Sequence, residues 1–221
     1  MGKAAKSYSI IGGADGPTSV FIVGHKEKNI FKRIKMNVLN KKHKKKSELA
    51  KKSIVPGAHT MEETIRYMKQ RYAAVEADSS YIHYKEWKKN MKYCLIQREK
   101  PELLGEEKKN FPPEDFNDEQ AVREWQRQTD EWTSECQRKA DVIPYEVFPI
   151  DYHLFIINKG EHGTLIIELD TFYPNLYVSY SGNKKIMEPI LKDIHIYFGV
   201  SQEDIDYRTD RYKMLLAVLS S

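Results

Sequence analysis

Tyr152-His-Leu-Phe-Ile-Ile-Asn158, Lys159-Gly-Glu-His-Gly163 and Thr164-Leu-Ile-Ile-Glu-Leu-Asp170 form the stretch that decides the fold. Two runs rich in β-branched and apolar residues flank a turn that contains two glycines, the pattern of an antiparallel hairpin. A third run, Leu176 to Tyr180, follows Pro174-Asn175 and extends the hairpin to a meander. Gly182-Asn183 then leads into a helix whose apolar positions Ile186, Ile190, Ile194 and Phe198 recur at helical spacing, and which Gly199 ends. Thr209 starts a last helix that closes on Leu-Leu-Ala-Val-Leu.

Upstream of the meander the periodicity is helical. Thr60 and Glu63 make a capping box for a helix carrying Ile65, Met68, Tyr72 and Val75 on one side, just after a break at Pro56-Gly57. A second helix is predicted from about Ser80 to Glu99, where Pro101 stops it, and Gly105 to Phe116, with Pro112-Pro113, is a surface connection. Asp118 begins a charged helix through Val122, Trp125, Trp132 and Cys136 to about Ala140. Nearer the start, residues 7–24 place two strand-like runs about an Asp-Gly-Pro turn and read as a β-hairpin. The order of hairpin, helices, meander and two helices predicts an α+β fold in one domain over residues 1–221, with the first hairpin joining the meander in one sheet.

At 221 residues the chain is long enough to bury a core without metals or disulfides. Cys94 and Cys136, both on predicted helices, suit reduced thiols. No apolar run approaches the roughly 20 residues that a membrane-crossing helix needs. The basic start lacks a hydrophobic stretch of signal length, because Gly12, Gly13, Asp15, Gly16 and Pro17 interrupt it. A cytoplasmic location without transmembrane association is therefore expected.

Charge is unevenly placed. Lys26 to Lys52 holds twelve Lys or Arg and two Glu, a net of +10, against +4 for the whole chain, so the remainder carries −6. Within this basic segment, 26–52, Asn29 can cap a helix carrying Ile30, Phe31, Ile34, Val38 and Leu39 on one face. Beyond Asn40, Lys-Lys-His-Lys-Lys-Lys has no apolar anchor, and self-repulsion is expected to loosen it and leave it mobile. A charge run of this kind is either a solvated face held against an acidic body or a surface for a polyanion. In the second case Lys41, Lys42, Lys44, Lys45 and Lys46, with Lys32, Arg33 and Lys35, neutralise phosphates without reading sequence.

One string is distinctive: Ile10-Ile-Gly-Gly-Ala-Asp-Gly-Pro-Thr-Ser-Val-Phe21. It resembles a segment of the β subunit of sodium-translocating decarboxylases, over about a dozen residues. In that family the motif lies within the membrane, and its aspartate, Asp15 here, is implicated in sodium transport. Coupled transport needs an ion-accessible site between membrane helices, which this chain's hydropathy does not offer, so the pump function is rejected. The chain also looks like a group of small uncharacterised Firmicutes proteins that open with the same string. As a local structure, Gly12, Gly13, Asp15, Gly16 and Thr18 read as a tight turn: the glycines allow positive φ and the carboxylate can bond neighbouring amides. Neither a dinucleotide fingerprint nor a P-loop is present.

A second candidate lies where strand, turn and helix meet. Ser179, Ser181, Gly182, Asn183 and Lys184 bring hydroxyls, helix-start amides and an ammonium group together, the ingredients of a small-anion pocket, although a simple helix cap accounts for the same residues. The seven histidines show no metal-ligand spacing, so no metal site and no cofactor are expected. His153 and His162, on a strand and in its following turn, are candidates to approach one another. No nucleophile elbow and no catalytic residue are identifiable. Three functions remain: a non-catalytic protein-interaction or regulatory module with a protein partner, nucleic-acid or other polyanion binding through 26–52, and an enzyme without a standard motif.

Overall fold

The computed structural model describes residues 12–13, 16–17, 30–105, 111–115 and 118–221, with backbone alone for 12–13, 16–17, 30–37, 40 and 43. Alternation along the central strands sets the architecture. In β4 (Tyr152–Asn158), Phe155 and Ile157 join one apolar cluster while Tyr152 and Leu154 join another. In β5 (Gly163–Asp170), Leu165, Ile167 and Leu169 face the first cluster and Ile166 the second. Successive side chains of a strand point to opposite faces, so the sheet is covered by helices on both sides. The protein is α+β.

The sheet is antiparallel, in the order β3-β4-β5-β6, with β3 at Val75–Ala77 and β6 at Asn175–Gly182. One face carries α2 (Met61–Tyr72) and α5 (Lys184–Phe198), which contribute Met61, Met68, Met187, Ile194 and Phe198. The other carries α3 (Tyr84–Glu99) and α4 (Glu119–Val142), which contribute Met91, Leu95, Ile96, Cys136 and Ala140. Near the chain's end, α6 (Gln202–Tyr207) is followed by α7 (Asp210–Ser220), which packs on α5 and on α1 (Ile30–Ser53).

The predicted caps are present. Thr60 Oγ1 accepts from Glu63 N while Glu63 accepts from Thr60 N, and Asp118, Asn183 and Thr209 each cap the helix that follows them. Both cysteines are free thiols. The meander stands as predicted, packed by α5 and reached by α7 through Met214.

Four expectations need correction. Among the described residues the N-terminal hairpin does not join the meander: Gly12–Gly13 (β1) pairs with Gly16–Pro17 (β2) in a ladder of its own, and the rest of the 7–24 reading lies outside the described residues. The sheet's fourth strand is β3, taken from residues read as the end of a helix. Ala73, in the left-handed region at φ 55°, terminates α2 and turns the chain so that Val75 enters the sheet edge. The lysine run does not loosen its helix, since α1 is continuous from Ile30 to Ser53. Lysine is a good helix former, Lys51 pairs with Glu48 at 2.9 Å, and buried Ala50 seats the last turns against the body. His153 and His162 do not meet: they bracket β4 from its two ends, a strand of seven residues or roughly 20 Å.

Candidate polyanion interface

The lysines of α1 take their positions from helix geometry. At about 100° per residue, Lys41, Lys44, Lys45, Lys51 and Lys52 lie roughly 100–180° around the helix from buried Ala50, the line by which α1 is seated. All five are exposed, and so are Lys42 and Lys46 on the flanks. From Lys41 to Lys52 this face runs about 16 Å along the axis. Lys46, nearest the seated side, donates to the main-chain oxygen of Ser221 at 3.0 Å. Among the described residues, Lys41, Lys42, Lys44 and Lys45 form no ion pair with the body. Glu48 is the acid within this face; its hydrogen bond from Lys51 holds its carboxyl below the usual range. Val38 and Leu49 lie on the same outward side, with 49% and 59% of their surface exposed. Lys32, Arg33 and Lys35 belong to the first turns of α1, and their side chains lie outside the described residues.

The turn after β6 is a helix cap in an open position. Asn183 Oδ1 accepts from Lys185 N at 3.0 Å, and Asn183 N donates to His162 O at 2.8 Å. Lys184 pairs with Glu188 at 3.4 Å. Ser181, Gly182, Asn183 and Lys184 are all exposed, and Ser179 lies within β6 opposite Ile166. Gly182, at φ +106°, is required because a Cβ there would stand 2.3 Å from His162 O. The residues are neighbours, but they are committed to turning the chain. Of the motif turn, Gly12, Gly13 and Gly16 lie in the short β1–β2 ladder, and Asp15 and Thr18 lie outside the described residues.

Several titratable groups elsewhere are buried. Glu168 on β5 accepts from Tyr152 Oη at 3.1 Å, and burial raises its carboxyl above the usual range. Burial likewise raises the nearby Cys94 thiol, with Glu168 adding to the shift, which makes Cys94 a poor nucleophile. Lys92, 4% exposed, has its ammonium pKa lowered by burial, yet it donates to Ile143 O at the end of α4 and lies 4.7 Å from the Tyr145 ring. Asp170 uses one oxygen to hold the amides of Phe172 and Tyr173 in the turn after β5.

Sequence reading missed an aromatic and acidic seam between α2 and α5. Tyr67 and Tyr72 both donate to Asp193 Oδ2, the latter at 2.6 Å. Tyr67 stacks on Tyr197 at 3.8 Å, and Tyr197 on His59 at 4.0 Å. Burial and then the bond to Asp193 push the Tyr72 phenol up to about 12, so it stays a donor at neutral pH. These rings fasten α2 to α5. The spacing of Tyr67 and Tyr72 by five residues gives no helical-face signal that would have singled them out.

Among the described residues no group of His, Cys, Asp and Glu could hold a metal ion, and no helix is long and apolar enough to cross a membrane. No family model, curated protein or solved structure matches the chain.

Proposed function

We propose that the protein binds nucleic acid through the lysine face of α1, by contact with the phosphate backbone. The observation that carries this reading is the arrangement of Lys41, Lys44 and Lys45 on a continuous helix, turned away from the seated side and forming no ion pair among the described residues, with Glu48 the acid near Lys44. Exposed like charges cost stability in a free protein and gain it back when an anion replaces their counterions. No Phe, Tyr or Trp occurs from Val38 to Ser53, so this face lacks a ring on which a base could stack. Backbone contact without base readout follows, and a helix about 10–12 Å wide fits a major groove about 12 Å across.

The test is binding of labelled duplex and single-stranded DNA and RNA over a salt series, beside a variant with Lys41, Lys42, Lys44 and Lys45 changed to Gln. Lys46 is left in place because it holds Ser221. If all four lysines meet phosphates, the variant's slope of log K against log salt is shallower by about 3.6. Duplex bound equally by both proteins, or not bound at 50 mM salt by either, would overturn the proposal. The protein-interaction module would then be the stronger reading, marked by a partner whose binding is insensitive to salt.

A further inference from the structure

An edge of the sheet carries an ionic cluster independent of α1. His153, at the start of β4, has Nδ1 2.7 Å from Glu76 Oε1 on β3 and Nε2 3.3 Å from Asp151 Oδ2. A neutral imidazole has one donor and one acceptor nitrogen, so with carboxylates on both sides one lone pair would face a negative oxygen. Only the imidazolium donates to both. A metal cannot take the proton's place, because the two carboxylates address different nitrogens of the ring.

Both acids are held from behind. Lys69 on α2 reaches Glu76 Oε2 at 3.3 Å, and Thr171 Oγ1 donates to Asp151. Other charges bear on the cluster: Lys88 of α3 and Glu62 of α2 act on Asp151, and Asp78, beyond β3, acts with Glu76 and Asp151 on Tyr84. The Phe155 ring lies 6.3 Å from the imidazole, nearly parallel to it.

This cluster sits where the sheet is weakest. β3 is an edge strand of three residues, pairing Val75, Glu76 and Ala77 with Ile156, Phe155 and Leu154. Val75 is 67% exposed, so little apolar burial holds the strand. We propose that His153 is a proton-operated latch: its imidazolium fastens β3 to β4 through Glu76, and loss of that proton lets β3 open locally.

The direction of titration agrees. Burial works against the charged ring, but its bonds to Glu76 and Asp151 outweigh that cost and hold its pKa above the ordinary histidine value. Glu76 is lowered chiefly by its bond from His153, and Asp151 chiefly by that from Thr171. A raised histidine pKa means that the latch is fully closed below the unfolded value of about 6.5 and is lost as pH rises through the folded value.

The experiment is NMR on the full chain. The His153 ring is titrated alongside amide-exchange protection at 75–77, corrected for intrinsic rates, between pH 5.5 and 9. Protection at 75–77 is expected to fall with the same midpoint as the ring, by at most tenfold per pH unit, while protection at Ile166 and Ile167 does not follow it. In His153→Gln, protection at 75–77 should be low and flat with pH. Glu76→Gln should move the ring's midpoint downward, because it removes one of the two carboxylates. Protection that ignores the His153 titration, or a pH response that survives in His153→Gln, would overturn the latch.

Discussion

Acidification should strike the protein at His195. This residue lies on α5, is 4% exposed, and is lowered to about 4 because burial disfavours the charged ring. In the unfolded chain the same ring takes up a proton near 6.5. The folded state therefore holds fewer protons between these values, and stability falls as pH drops through them. A gap of about 2.5 units at 1.36 kcal/mol each amounts to about 3 kcal/mol lost by pH 4. Above about 6.5 the contribution is complete.

Urea melts at half-unit steps from pH 8 to 4 would measure this, with His195→Leu as the reference. The reference is needed because Glu76, Asp151, Glu188 and Asp204, all lowered in the fold, also lose stability in acid, while Glu168 and Asp170, both raised, gain it. The difference between the two proteins isolates the histidine: it should open from zero near pH 7 to about 3 kcal/mol at pH 4 in favour of the variant, beyond any constant offset. A pH-independent difference, or an NMR titration of the His195 ring near 6.5 in the folded protein, would refute the reasoning.

Two further substitutions test the packing around the sites. Gly199→Ala places a Cβ 2.3 Å from Gly57 O at φ +60°, where the segment 57–59 bonds across to 198–200, and it should cost at least about 1–2 kcal/mol by thermal melting. Thr60→Ala removes the half of the α2 capping box in which Oγ1 accepts from Glu63 N, leaves the bond from the residue 60 amide to Glu63 in place, and should cost about 1 kcal/mol, whereas Thr60→Ser should cost much less.

The parts of the fold legible in the sequence are those fixed by neighbours in the chain. Thr60 with Glu63, Asn183 with Lys185, and Gly199 after Phe198 are short-range signals, and each marks a real helix end. The meander was legible because Leu154 to Ile157 and Leu165 to Ile167 are short apolar runs bounded by turn residues. What was not legible depends on partners far along the chain. Val75 continues the helical spacing of Met68 and Tyr72, and only its pairing with Ile156 makes it a strand. His153 shows no metal or catalytic spacing; Asp151 stands two residues before it, but Glu76 comes to it only once β3 has joined β4. The positions of the α1 lysines could be read directly, but the freedom of Lys41, Lys42, Lys44 and Lys45 from ion pairs with the described part of the body could not, because that depends on where the body's carboxylates lie.

That freedom has a consequence for how an anionic partner would approach. The carboxylates of α4 are largely matched on their own helix: Arg127 lies between Glu124 and Glu131, Arg123 meets Glu119, and Lys139 meets Glu135. Such pairs at i,i+3 and i,i+4 leave little field at a distance. On α1, Lys51 pairs with Glu48, but among the described residues Lys41, Lys42, Lys44 and Lys45 form no ion pair. The molecule is therefore electrically lopsided, with a concentrated positive face on one helix and a body of net negative charge that is mostly compensated locally. If the proposed reading holds, a polyanion would be drawn to α1 and would gain nothing by spreading onto the body, so the contact would stay as small as one helix. Affinity of this kind comes from the count of lysines that meet phosphates and not from buried area, which is why removing four of them should change the salt slope more than any change in the aromatic seam of α2 and α5.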